Sequence, residues 1–171
     1  MRKCVVVQTL FLWGLISMAT VVFASVPRNE LALGGVTLFT SLNNVQNIYG
    51  TPAKSFYNDE YLGGGKVRVY KQLYGNGSFS VIATNYDGVV SVRATENNGI
   101  ATPAGIKVGM NATSLLAVYG AADYKYADGN GNSVFVYSEK KTGVGVRDEL
   151  RFTINSGKIA KIELIAGILS L

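Results

Sequence analysis

The chain has 171 residues, 48% of them hydrophobic and 16% charged, with a formal net charge of +5. It contains no histidine and a single cysteine, Cys4, which excludes imidazole base catalysis, intrachain disulfide bracing and most transition-metal sites. The positive excess is small and scattered, so nucleic acid is not expected as a partner.

In chain order, the first predicted element is a signal peptide over residues 1–24. Arg2 and Lys3 precede an apolar run from Val5 to Phe23, and Val22-Phe23-Ala24 supplies the ending a signal peptidase reads. Cleavage is expected after Ala24, leaving Ser25 first. The protein would then be exported, either periplasmic or secreted. The run is also long enough to span a bilayer, so membrane contact is expected only if it is retained. Cys4 lies too early for lipid attachment, and setting Arg2 and Lys3 aside leaves a net charge of about +3.

Two stretches further on share one pattern. "GVTLFTSLNNVQNIYGTPA" (35–53) and "GIKVGMNATSLLAVYGAAD" (105–123) align without a gap, with Tyr49-Gly50 repeated 70 residues later as Tyr119-Gly120. Ser41 and Asn111 stand where an N-cap belongs. Val45, Ile48 and Tyr49, then Leu115, Val118 and Tyr119, form an i, i+3, i+4 apolar stripe. Gly50 and Gly120 suit the position just past a helix end, and Pro52 blocks continuation of the first helix.

After each helix the period changes to two. Strands are predicted over Lys66–Leu73, Ser78–Ala83 and a run with Val90, Val92 and Ala94 on one face. The second half gives Val134–Tyr137, Leu150–Ile154 and a run with Ala160, Ile162 and Leu164 on one face. Gly75-Asn76-Gly77, Asp87-Gly88, Asp128–Gly131 and Ser156-Gly157 read as hairpin turns. The fold class expected is α+β. It would comprise two tandem repeats, 25–98 and 99–171, each a short helix followed by a three- to four-stranded antiparallel sheet. The helices would lie on one face and the other face would be open.

The stretch from Gly105 to Asp123 resembles the recurring element of the β-lactamase-inhibitor-protein-like fold, also found in the small SmpA/BamE-like lipoproteins. Val108, Gly109, Met110, Asn111, Gly120 and Ala121 fill that pattern; the first copy keeps Ser41, Gly50 and Pro52 but has Phe39-Thr40 in place of Gly-Met. The resemblance implies an exported, non-catalytic, protein-binding chain of two modules. It assigns no binding residue.

Catalytic and metal motifs are fragmentary. Ser138-x-x-Lys141 overlaps Lys141-Thr142-Gly143, yet one lysine cannot serve both parts of a penicillin-recognising signature, and no Ser-Asp-Asn is present. Asp128, Asn130, Asn132 and Glu139 match some EF-hand positions, but Ser133 stands where the turn needs glycine and the flanks alternate like strands. Leu62–Lys66 lacks the residues of a P-loop, and Asp148-Glu149 should point to opposite strand faces. No cofactor, metal or catalytic residue is expected.

Tyrosine is the remaining signal, with 10 in the chain. Lys66, Arg68, Tyr70, Gln72 and Tyr74 share one face of a strand and form the candidate binding face. Tyrosine is favoured at interfaces and also on ordinary sheet faces. Tyr49 and Tyr119 should lie between helix and sheet, and Tyr70 and Tyr74 on the open side. The functions weighed are binding of another protein of the envelope or extracellular space, a structural or assembly role in the bacterial cell envelope, and Ser/Lys hydrolysis.

Overall fold

The computed structural model describes residues 25–62, 65–139 and 145–169. The expected signal peptide therefore lies outside the described residues, as do Lys141-Thr142-Gly143 and part of the Leu62–Lys66 run. A 3-10 turn (Arg28–Glu30) leads into a small hairpin of β1 (Ala32–Leu33) and β2 (Val36–Thr37). Helix α1 (Leu42–Tyr49) precedes β3 (Lys54–Leu62), β4 (Gly65–Tyr74), β5 (Phe79–Thr84) and β6 (Gly88–Ala94). Helix α2 (Thr113–Tyr119) precedes β7 (Tyr124–Ala127), β8 (Ser133–Ser138), β9 (Glu149–Asn155) and β10 (Lys158–Ile165). A second 3-10 turn (Gly167–Leu169) follows.

The expected organisation as two helix-plus-sheet repeats is overturned. The fold is mostly β, with one eight-stranded antiparallel sheet ordered β3-β4-β5-β6-β10-β9-β8-β7 and a separate two-stranded hairpin. The physical reason is the seam between β6 and β10, where Ala94 pairs with Ile162 and Val92 with Leu164. Those four side chains are completely buried. Separate sheets would leave this apolar row in water, at about 1.5–3 kcal/mol per large side chain.

Strand register shows where the core sits. One row runs from Tyr74 through Phe79, Ala94, Ile162 and Phe152 to Phe135, crossing six strands. The next runs from Gln72 through Val81, Val92, Leu164 and Leu150 to Tyr137. The helices lie over these rows. The Tyr49 ring is 4.7 Å from Phe79 and 5.6 Å from Tyr74, and the Tyr119 ring is 5.4 Å from Tyr137 and 5.9 Å from Phe152. The Tyr49 hydroxyl donates to the Gly34 carbonyl, and that of Tyr119 to Thr102 Oγ1 at 2.7 Å.

Several local expectations are corrected. Ser41 caps α1 by accepting from the Asn44 N–H at 3.3 Å, but Asn111 makes no such side-chain bond, because α2 begins two residues later, after Ala112. Val45 and Leu115 are fully buried, whereas Ile48 and Val118 face out, 53% and 46% exposed. These helices of eight and seven residues are short enough to bury only a narrow stripe. Bulges break the two faces read as continuous. The β10 register shifts between Ile159 and Lys161, so Ile159 takes the core position and Ala160 is exposed. In the β5–β6 pair the shift makes Val89, rather than Val90, the partner of Ala83. A bulge adds one residue to one strand and reverses the alternation beyond it.

Candidate binding surface

The row Lys66, Arg68, Tyr70, Gln72, Tyr74 was expected on the open side of the sheet. It lies instead on the side that carries the helices, because Tyr74, Gln72 and Tyr70 pair with Phe79, Val81 and Ala83 of the core face. Its inner end is sealed: Gln72 and Tyr74 are 4% and 6% exposed, with the Tyr74 hydroxyl donating to Gln72 Oε1 at 2.8 Å. Two polar side chains can be buried there because each satisfies the other. They are part of the core and cannot meet a partner. Tyr70 is half-buried, while Arg68 and Lys66 are exposed.

The outer end belongs to a ribbon. β5 pairs with β4 only from Val69 to Tyr74, whereas β3 accompanies β4 from Leu73 to the Leu62–Gly65 end. This places Tyr57 beside Tyr70, Asp59 beside Arg68 and Tyr61 beside Lys66, all on one face. The Arg68 guanidinium sits 4.9 Å above the Tyr57 ring, and the Tyr57 and Tyr70 rings are 6.4 Å apart. Asp59 accepts from Arg68 Nε at 2.7 Å and Lys66 Nζ at 2.9 Å. The hydrogen bond from Arg68, then that from Lys66, holds its carboxyl well below the usual carboxylate range. The Arg68 backbone N–H donates to Asn85 Oδ1 at 2.8 Å, and the Asn85 N–H to the Arg68 carbonyl at 3.0 Å. Asp59, Lys66, Arg68, Tyr70 and Asn85 thereby line a shallow hollow.

A second hollow adjoins it across Tyr70 and Asn85 and is lined on its far side by Phe39, Leu42 and Tyr86. Phe39 has φ +63°, a left-handed conformation that costs a bulky residue roughly 1–2 kcal/mol. It is fixed by two backbone bonds to β6, Phe39 N–H to the Val89 carbonyl (2.7 Å) and Val89 N–H to the Thr40 carbonyl (2.8 Å). Gly88 permits this approach, since a Cβ there would stand 2.4 Å from the Thr40 carbonyl oxygen. The result holds the Phe39 ring outward, 43% exposed, near Tyr86 at 73%.

Sequence reasoning therefore placed Lys66, Arg68 and Tyr70 on one face but did not set Tyr57, Asp59, Tyr61, Phe39 and Tyr86 beside them. A signal existed for the first three: Tyr57-x-Asp59-x-Tyr61 and Lys66-x-Arg68-x-Tyr70 both alternate, on either side of a glycine run in the sequence. Phe39 gave none, because its conformation is imposed by β6.

The helix-free side differs. Glu163 pairs with Arg93 at 2.6 Å and Lys161 at 2.8 Å, and Glu149 with Arg151 at 2.6 Å. Tyr124 donates to Glu149 Oε1 at 2.8 Å, and burial, then this carboxylate, pushes its hydroxyl up to about 12. Glu149 is spent here, while Asp148 accepts from the Gly167 N–H at 2.9 Å. Asp128 likewise serves its own turn, accepting from the Asn130 and Asn132 N–H groups at 2.9 Å. Glu139 lies beyond the whole of β8, roughly 20 Å of strand away, where it bridges to Val26. The EF-hand positions are therefore not gathered.

No protein-family model matches the chain, and no curated protein does. One solved structure is similar, a Streptococcus mutans protein described as a "putative beta-lactamase inhibitor protein". The two share 16% identity at a TM-score of 0.28, over 72% of this chain and 82% of that one.

Proposed function

We propose that the chain is an exported, non-catalytic module that binds another protein of the envelope or extracellular space. Binding uses the part of the sheet that α1 leaves bare. The observation that carries this reading is the joined pair of hollows, in which Arg68, Tyr70, Tyr86 and Phe39 converge, with the Tyr57 ring beside Arg68 and Tyr70. Tyrosine, phenylalanine and arginine are the residues enriched at interface centres, and the strained Phe39 backbone is the kind of cost found at functional sites. Two cations share the single Asp59 carboxylate, leaving positive charge to spare. The partner segment that fits carries an acidic side chain beside an apolar or aromatic one. The non-catalytic part rests on composition: the chain has no imidazole base, and Cys4 is its only thiol.

A photo-crosslinking residue at Tyr86 in the native cell tests this. The expected result is a discrete crosslinked protein, lost when Arg68→Ala is added and absent above background when the same label is moved to Lys158. No crosslink above that background, or one indifferent to Arg68→Ala, overturns the assignment of this surface.

A further inference from the structure

The two edges of the main sheet are unlike. β7 is an edge of four residues; β3 is an edge of nine, contains no proline, and pairs with β4 without any register shift. Long regular edges are templates for another strand, and natural sheets usually shorten, bend or cover them. We propose that β3 is a dimerisation strand, which pairs antiparallel with β3 of a second copy of this chain about a two-fold axis through Tyr57.

Backbone direction supplies the first support. The Arg68 N–H and carbonyl point to the β5 side, where they bond Asn85 at 2.8 and 3.0 Å. Its partner across the β3–β4 pair is Asp59, so this is a non-hydrogen-bonded pair and the Asp59 N–H and carbonyl face the free edge. By strand alternation Ser55, Tyr57 and Tyr61 do the same. An axis through Tyr57 sets Tyr57 against itself and Ser55 against Asp59 of the second copy, all outward-directed. These three pairs exchange about six backbone hydrogen bonds.

Charge selects the register. In "KSFYNDEYL" (54–62) an axis through Tyr57 sets Lys54 opposite Glu60 of the second copy, twice by symmetry, and Phe56 opposite Asn58. Those pairs are of the non-hydrogen-bonded kind, in which side chains approach most closely. Moving the axis to Asn58 sets Lys54 against Leu62 and Phe56 against Glu60; moving it to Asp59 stacks the two Asp59 carboxylates. An axis between residues would set outward-directed residues against residues whose backbone groups already bond β4, and no ladder could form. The lysine and glutamate that repel a generic strand thus complement their own copy. Both sheets continue into one, with the helix layers on the same side. The proposal does not depend on the Phe39–Tyr86 hollow, which lies away from the edge.

Sedimentation equilibrium of the full chain tests it. The chain should be dimeric, and Lys54→Glu or Glu60→Lys alone should weaken the dimer at least about tenfold by opposing like charges twice. The double variant Lys54→Glu/Glu60→Lys should recover it. Tyr57→Pro, which removes an outward N–H and leaves the β3–β4 bonds in place, should also give monomer. A monomer at every concentration overturns the proposal. So does self-association that both single reversals leave unchanged, as association through the apolar run would. Single and double variants equally weakened would mean that the edge takes a different strand, and would also overturn it.

Discussion

Tyr74 and Tyr70 stand four residues apart on the same face of β4, yet one is core and the other is rim. Tyr74 meets Tyr49 and Phe79, with ring centroids at 5.6 and 5.8 Å. Among the described residues the ring that Tyr70 meets is that of Tyr57, at the start of the ribbon beyond the reach of α1. Nothing in the strand itself distinguishes them. The difference is the reach of α1, eight residues and about 12 Å long. Side-chain chemistry thus decides what a strand position can do, and the neighbouring layer decides whether it does it.

The largest effect expected along this divide is at the inner end. Tyr74→Ala should cost about 3–5 kcal/mol, as for other buried aromatics, measured by denaturant unfolding. A loss below about 1 kcal/mol would erase the distinction drawn here.

Alkaline titration sharpens the same divide. Burial pushes the Tyr119 and Tyr137 hydroxyls up to about 12, against about 10 in an unfolded chain. Between those values the unfolded state has lost protons that the folded state keeps, so stability falls as pH rises. The melting temperature should drop between pH 10 and 12, and less in Tyr137→Phe, which can no longer ionise.

At the outer end the effects shrink and one changes sign. Phe39→Gly should stabilise by about 1 kcal/mol, since glycine accepts a positive φ without strain, and should weaken partner binding. Smallest of all, Tyr70→Ala should cost under about 1 kcal/mol while also weakening binding. Equal unfolding losses for Tyr70→Ala and Tyr74→Ala would break the comparison outright.

What was legible in the sequence follows the range of the interactions concerned. The helix at Leu42–Tyr49 was readable because its cap, stripe and terminal glycine are neighbours in the chain. Hairpin turns such as Asp87-Gly88 were readable for the same reason. β3 was not, because "KSFYNDEYL" alternates aromatic and charged residues on both faces, as an edge strand exposed on both sides can. The merging of two sheets into one was invisible as well: Val92 and Leu164 look like core residues under either arrangement, and only their pairing tells which. The candidate face was half legible. Alternation correctly put Lys66, Arg68 and Tyr70 on one face, but it could not show that Gln72 and Tyr74 on that face lie beneath a helix.

The seam between β6 and β10 also sets an order of events. Arg93 and Glu163 face each other across it although 70 residues separate them, whereas every other neighbouring pair of strands in the sheet is consecutive in the chain. The hairpins can close as soon as their own residues exist, each with a short loop and a small entropic cost. The seam cannot. A ribosome must complete β10, the last strand of this sheet in chain order, before Val92 and Ala94 find their cover. Until then a half-sheet with a bare apolar edge is what the cell has to handle, which is the period when such a chain most needs a chaperone.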